Sequence, residues 1–140
     1  MADVHNKRVR SYNMSRIQGK NTKPEMIVRR FLHSKGFRYR LHVDYLPGKP
    51  DLVLPKHGTV IFVHGCFWHA HERCNFFKIP ETRKSHWKKK LLNNRDRDKK
   101  NIVSLKKKGW KVKVIWECDL KNGNLEKTMN ALLNELNSDL

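Results

Sequence analysis

The chain has 140 residues, enough for one compact domain with its own core and too short for two of ordinary size. Its 31 Lys and Arg residues outnumber 13 acidic residues, which gives a formal net charge of +18. Solubility asks for a net charge of only about 2–8 in a small domain, so the excess indicates a polyanionic partner, with nucleic acid as the first candidate.

Composition also excludes several classes of protein. Disorder is disfavoured because 38% of the residues are hydrophobic and they fall in periodic blocks. No apolar run approaches the roughly 18 residues that a membrane-spanning helix needs, and the N-terminus lacks the apolar segment of a signal peptide, so we expect a cytoplasmic protein. Three cysteines cannot all pair within the chain, which favours metal binding over disulfides.

The first half of the chain predicts an arm, a helix and three strands. Residues 1–20 are polar and basic and are predicted as an arm outside the core. Thr22-Lys23-Pro24-Glu25 has the spacing of a capping box, which opens a helix that ends near Gly36 and gives Glu25 a sufficient structural role. Three strands are predicted next, from the alternating apolar residues at 37, 39, 41 and 43 and from the apolar blocks at residues 51–54 and 59–64.

The second half predicts helix, strand and helix. A long helix is expected from about residue 82 to 108, with an apolar stripe of Trp87, Leu91, Ile102 and Leu105. Alternation at residues 112, 114 and 116 predicts a fourth strand, and the apolar spacing after residue 125 predicts a last helix. The whole order predicts an α/β domain, a small mixed sheet covered by helices.

The hairpin brings a carboxylate and a histidine to one face of the sheet. If Leu54 pairs with Thr59, Asp51 lies opposite Phe62 and diagonal to His64. Diagonal neighbours are roughly 7–8 Å apart, within bridging distance of one metal ion or water. The alternative is that Asp51 only caps the loop that precedes it.

Asp98 falls on the inward stripe of the long helix, where an acid needs a partner. A histidine, a bound cation or a salt bridge to one of the many nearby Arg and Lys residues would each satisfy it.

The segment after the third strand has the ligand types of a zinc site. Cys66 and Cys74 bracket two histidines, and Cys118 follows the last strand. Three Cys and one His form a closed tetrahedral set for Zn²⁺. His71 and His69 compete for the fourth position; the tighter spacing of His71 to Cys74 favours His71 and leaves His69 for chemistry. The alternative is three ordinary buried cysteines.

Aromatic residues surround these ligands. Adjacent Phe67 and Trp68 cannot both face inward in a regular strand, so we expect at least one of them to be exposed, and Trp87 could be core or surface. In so basic a protein these side chains could wedge between base pairs, or they could form a small core over the metal.

Longer motifs connect these features. They are MADVHNK and Arg-Ser-Tyr-Asn-Met at the N-terminus, then Leu-Pro-Gly-Lys-Pro-Asp, His-Gly-Cys-Phe-Trp-His, Phe-Lys-Ile-Pro-x-Thr-Arg and Gly-Trp-Lys-Val-x-Val-Ile-Trp-Glu-Cys. In order and approximate spacing the chain resembles the very-short-patch repair (Vsr-type) DNA mismatch endonucleases over about residues 1–120.

The resemblance implies a fold and an activity. The fold would be restriction-endonuclease-like, in one domain of residues 1–140: a DNA-contacting arm (1–20), a catalytic core (21–120) and a C-terminal helix (121–140). The activity would be a Mg²⁺-dependent nick in double-stranded DNA, 5′ to the thymine of a T:G mismatch left by deamination of 5-methylcytosine. A lesion without two-fold symmetry suits a monomer. The resemblance also implies a cytoplasmic, nucleoid-associated protein of a bacterium.

The resemblance also implies roles for single residues. Asp51 and the backbone carbonyl of Val63 would bind Mg²⁺, His69 would be the general base, and His64 would position the attacked phosphate. Glu25 would orient metal-bound water and Asp98 would hold a catalytic histidine. The remaining implied residues form two sets: zinc ligands Cys66, His71, Cys74 and Cys118, and intercalating residues Met14, Phe67, Trp68 and Trp87.

Two other functions remain open at this point. One is a nuclease of the same fold that cuts a matched sequence or a different lesion. The other is a zinc-containing DNA-binding protein without catalytic activity.

Overall fold

A computed structural model describes residues 22–72, 74, 77–121 and 123–138. The predicted N-terminal arm and Met14 lie outside the described residues. The described elements include three α-helices and four strands: α1 (Lys23–Ser34), β1 (Arg40–Leu41), β2 (Leu52–Leu54), β3 (Thr59–His64), α2 (Lys84–Lys107), β4 (Lys111–Trp116) and α3 (Leu125–Asn137). Two short 3-10 helices lie at Pro55–His57 and Glu117–Leu120. The order that the sequence predicts is confirmed.

The strands form one mixed sheet in the order β1-β2-β3-β4. β2 is antiparallel to β1 and β3, and its register pairs Leu54 with Thr59 and Leu52 with Ile61, as the hairpin argument predicts. β4 runs parallel to β3, with α2 as the crossover between them.

Each face of the sheet is covered by apolar packing. On one face, α1 and α3 pack against the sheet through a buried cluster that includes Val28, Ile61 and Leu132. On the other, Leu105 of α2 packs with Val60 and Phe62. Among the described residues, no helix is long and apolar enough to cross a membrane; α2 has 24 residues but is densely basic.

The predicted strand over residues 37–43 is wrong in extent. Only Arg40–Leu41 forms a strand, and both of its residues are exposed. Phe37 and Tyr39 still pack against the core, but outside regular strand pairing. The extended backbone ends because His42 adopts a positive φ of 48°, which is incompatible with a continuing strand.

Glycine is required in the loop that leads into β2. Gly48 has a φ of +78°, and a Cβ built on it would lie 3.0 Å from Cβ of Asn101 and 3.1 Å from Cε1 of Phe62. The loop therefore packs directly between α2 and β3. This close approach fixes where Asp51 enters the sheet, three residues later.

Candidate active site and metal centre

The hairpin positions Asp51 against the backbone of β3. Its carboxylate is buried, with 9% of the residue exposed, and Oδ2 accepts a hydrogen bond of 2.7 Å from the Val63 N–H. The partner lies across the sheet, so the interpretation of Asp51 as only a cap for its own loop does not describe this contact. The bond brings the carboxylate beside the Val63 peptide.

Asp51 belongs to a carboxylate cluster formed by Glu25, His42 and Asp51, whose ligand atoms all lie within 4.8 Å of one another. Glu25 is fully buried on α1. Its backbone N–H donates to Thr22 Oγ1 at 3.3 Å, so part of the predicted capping box forms. Its carboxylate, however, accepts hydrogen bonds from His42 and from Arg29, which gives it more than the capping role.

Sequence analysis missed His42. It stands in the alternating segment before β2, at a position that the strand prediction treated as a solvent-facing polar residue. The available signal was a histidine nine residues before Asp51, in a stretch otherwise dominated by Arg and Lys. That signal is too weak to place an imidazole against a glutamate on another element.

Burial changes the acidity of Asp51. The pKa of this carboxyl is raised from 3.8 to about 7, mainly because burial removes it from water; the hydrogen bond from Val63 opposes the shift and the neighbouring charge of Glu25 adds to it. Two carboxylates held this close in a buried position repel each other when both are ionised. A cation beside them would relieve that repulsion, so the donor set fits a divalent metal ion that prefers oxygen ligands.

A second group, the histidine pair, combines His64, His69 and Asp98. The imidazole rings of His64 and His69 are stacked, with centroids 3.8 Å apart and an interplanar angle of 5°. Asp98 Oδ2 lies 2.6 Å from Nδ1 of His69, so the partner that the inward position of Asp98 requires is this histidine. A carboxylate accepts, so the proton sits on Nδ1 and leaves Nε2 as the basic nitrogen.

His64 is kept neutral by its surroundings. Its pKa is lowered from 6.5 to about 3, mainly because burial disfavours the charged imidazolium, with a smaller contribution from the neighbouring His69. Its Nδ1 is buried and has no hydrogen-bond partner among the described residues. A buried nitrogen without a partner is costly, which indicates that a ligand completes its environment.

Helix α2 holds the loop that carries these groups. We call residues 65–72 the histidine loop. Asn94 donates to the carbonyl of Trp68 at 3.0 Å, and Arg95 donates from Nε and Nη2 to the carbonyl of Ala70 at 2.9 and 2.6 Å. These side chains lie on the same part of α2 as Asp98. One face of α2 therefore holds the backbone of the histidine loop and, through Asp98, orients His69.

A third group, the cysteine cluster, contains Cys66, His71, Cys74 and Cys118, with all ligand atoms within 4.8 Å of one another. Cys118 Sγ lies 3.4 Å from His71 Nδ1, and the His71 ring stacks on Trp116 at 3.9 Å. A tetrahedral Zn²⁺ site with bonds of about 2.3 Å to sulfur places its ligand atoms roughly 3.5–3.8 Å apart. The four residues can therefore hold a zinc ion, with His71 among them and His69 in the histidine pair.

The predicted intercalating aromatics form one compact cluster. Phe67, Trp68 and Trp87 contact one another edge to face, with centroids 5.0–6.0 Å apart. Each is half-buried, so neither Phe67 nor Trp68 is the exposed ring that the sequence predicts, although neither is fully buried. Their mutual packing explains the partial burial: the loop turns at Phe67 and Trp68, and both rings meet Trp87 at the start of α2. Lys90 lies over Trp68 and Trp87 at 5.7 and 5.6 Å.

Comparison with known proteins identifies this arrangement. A family model described as DNA mismatch endonuclease Vsr matches residues 2–75, more than half of the chain. The chain belongs to the Vsr family. It is 42% identical to the DNA mismatch endonuclease Vsr of Escherichia coli (strain K12) over 136 residues, which cover 97% of this chain and 86% of that protein.

A second relative carries a different description. The type II nicking enzyme V.NmeAIP of Neisseria meningitidis serogroup A is 45% identical over 137 residues, which cover 97% of each chain. Among solved structures, the catalytic domain of the homing endonuclease I-Bth0305I matches with a TM-score of 0.58 and 20% identity, over 86% of this chain and 99% of that one. The structural match supports the fold, a mixed sheet flanked by helices as in an endonuclease catalytic domain. The chain is a DNA endonuclease of the nicking type.

The raised pKa of Asp51 predicts a pH dependence of stability in protein free of added divalent ions. Between pH 3.8 and about 7 the folded state keeps a proton that the unfolded state releases, so the free energy of unfolding falls as pH rises through this window. The loss attributable to Asp51 approaches about 1.4 kcal/mol for each pH unit of the window. Urea unfolding from pH 4 to 7.5 measures it, with Asp51→Asn as the comparison.

Asp51→Asn keeps the shape of the side chain and removes its titration. The variant should therefore gain stability relative to wild type as pH rises. Parallel stability curves for the two proteins would contradict the assignment of this proton to Asp51.

Proposed function

We propose that this Vsr family member nicks double-stranded DNA 5′ to the thymine of a T:G mismatch, the product of 5-methylcytosine deamination. Asp51 would hold a Mg²⁺ ion that assists hydrolysis, and the cysteine cluster would hold a structural Zn²⁺ ion. The observation that carries the proposal is that a buried carboxylate cluster and a stacked histidine pair lie next to each other at the open end of the hairpin formed by β2 and β3.

Asp51 and the carbonyl of Val63 would hold the magnesium ion. Its chemistry when bound is to stabilise the negative charge that develops on the attacked phosphate. Two features support the fit: the carboxylates of Glu25 and Asp51 repel each other at close range, and Asp51 already faces the Val63 peptide. Glu25 then orients a water molecule beside the phosphate.

His69 serves as the general base. Asp98 holds the proton on Nδ1, so Nε2 can accept a proton from the attacking water. The resulting imidazolium is stabilised by the same carboxylate. His64 stacks on His69 and stays neutral, which allows it to donate a hydrogen bond to the phosphate without competing for the water proton.

A groove of about 400 Å³ lies against the histidine pair and is lined also by Arg95 and Lys99. Both cations lie 3.6 Å from the exposed carboxylate of Glu72. The groove supports phosphate binding, because cationic side chains there can exchange their contact with Glu72 for one with the DNA backbone.

Selectivity for a mismatch would come from the aromatic cluster of Phe67, Trp68 and Trp87, together with Met14 of the arm. Opening a mismatched step costs less than opening a paired one, so aromatic insertion favours the lesion. The cluster begins two residues before His69, so a wedge there lies close to the scissile bond. An asymmetric lesion also fits a monomer, and the substrate would place the enzyme on the nucleoid.

A second candidate is a nick in a matched or differently damaged sequence. The relative V.NmeAIP, at 45% identity, is described as a type II nicking enzyme without mention of a mismatch. This candidate shares the catalytic groups and differs only in what the aromatic cluster and the arm recognise.

A denaturing-gel nicking assay with Mg²⁺ separates the two candidates. Two duplexes of one sequence are compared, one with a T:G mismatch and one with T:A at the same position, across several flanking contexts. We expect a single cut 5′ to the mismatched thymine and no cut in the T:A duplex. Equal cutting of both duplexes would favour the second candidate.

Asp51→Asn serves as the catalytic control in the same assay. It should lose nicking by at least about 100-fold, because the cation loses its charged ligand, while affinity for the duplex changes little. An active Asp51→Asn protein would reject the proposed metal site.

The zinc assignment predicts opposite behaviour for two neighbouring histidines. His71→Gln should release zinc and lower the melting temperature, because a structural zinc ion contributes directly to folding free energy. His69→Gln should retain zinc and the melting temperature yet lose nicking. Zinc content by a colorimetric chelator and thermal melting measure both variants. If His69→Gln lost zinc and His71→Gln retained it, His69 would be the zinc ligand and His71 the general base.

A further inference from the structure

We propose that His42 is a positioning residue that holds the Glu25 carboxylate in its working orientation beside Asp51. The inference rests on the proposed metal site at Asp51 and extends it to a residue outside the set that sequence analysis identified. His42 acts through Glu25 and does not itself touch the DNA or the cation.

The contact is symmetrical. Nε2 of His42 lies 3.0 Å from Oε1 and 2.9 Å from Oε2 of Glu25, so a single N–H faces both oxygens. Arg29 Nη1 lies 3.2 Å from Oε2, one helical turn along α1. Two cationic or donating groups from different elements therefore fix the plane of a fully buried carboxylate.

The backbone of His42 also helps to hold this residue between Glu25 and Asp51. Its φ of 48° is a left-handed conformation that few non-glycine residues adopt, and its N–H donates to the carbonyl of Asp51 at 3.1 Å. Strain of this kind persists only where surrounding contacts impose it, and it concentrates at functional sites. One residue thus bonds to the backbone of Asp51 and to the side chain of Glu25, and it sets the distance between the two acids.

Charge explains why such a support is needed. Glu25 lies close enough to Asp51 that its charge raises the pKa of the Asp51 carboxyl, so the two side chains repel each other when both are ionised. Without His42, the Glu25 carboxylate loses the donor that fixes its plane and can rotate away from Asp51. That rotation removes the acceptor that orients the water and weakens the cation site.

Four proteins test the proposal: wild type, His42→Leu, His42→Gln and His33→Leu. Leucine removes the donor, glutamine restores a neutral N–H donor of similar reach, and His33 is an exposed histidine on α1 that serves as the matched control. Each is measured for Mn²⁺ affinity by calorimetry on zinc-loaded protein, single-turnover nicking, duplex affinity and melting temperature.

We expect His42→Leu to lower the nicking rate constant by roughly 10–100-fold and to weaken Mn²⁺ binding by a similar order, as for other residues that orient ligands from outside the coordination shell. Duplex affinity should stay within about two-fold of wild type. His42→Gln should recover most of both losses, and His33→Leu should match wild type throughout.

Three results would overturn the proposal. Wild-type Mn²⁺ affinity in His42→Leu would show that Glu25 needs no support. Failure of glutamine to recover activity, with a lowered melting temperature in both variants, would make His42 purely structural. Nitrogen modulation in pulsed EPR of the Mn²⁺-loaded protein that disappears in His42→Gln would make His42 a metal ligand instead.

The Mn²⁺ measurement keeps this inference separate from the proposed function. If wild type nicks neither the T:G nor the T:A duplex but His42→Leu still weakens Mn²⁺ binding, the positioning role stands and the mismatch activity fails. If Asp51→Asn leaves Mn²⁺ affinity unchanged, the metal site itself is wrong.

Discussion

Two carboxylates are buried together at one corner of the sheet, and the other contacts of the site follow from that burial. Glu25 comes from α1 and Asp51 from the start of β2, and neither can be solvated by bulk water. Neighbouring groups compensate for the lost solvation by donating hydrogen bonds. The Val63 N–H donates to Asp51, and His42 and Arg29 donate to Glu25. A cation beside the two acids would offset their mutual repulsion, which is the basis of the metal site proposed at Asp51.

The three residue clusters occupy separate positions, although the histidine pair and the cysteine cluster both include residues of the histidine loop. His69 and His71 are two residues apart but face different partners, Asp98 on α2 and Cys118 beyond β4. The parallel pairing of β3 with β4 makes this possible, since it brings the ends of both strands to one edge. A zinc ion there would join the loop to β4, while α2 holds its backbone, so the general base would stand on a rigid support.

Local pattern predicted the element order, the hairpin register and the inward position of Asp98, because each depends on spacing within one or two elements. Local pattern failed where contacts between distant elements determine the structure. The positive φ of His42 shortened the strand expected at residues 37–43, and the role of Glu25 beyond its cap became visible only when α1 met the β2 corner. The half-burial of Phe67 and Trp68 likewise depends on Trp87, about twenty residues away in sequence.

Anomalous diffraction from crystals soaked in Mn²⁺, recorded at the manganese and zinc edges, would locate both metal ions in one experiment. We expect a manganese peak between the Asp51 carboxylate and the Val63 carbonyl, and a separate zinc peak among Cys66, His71, Cys74 and Cys118. Manganese bound at His64, His69 and Asp98, with none at Asp51, would contradict the division between metal site and general base.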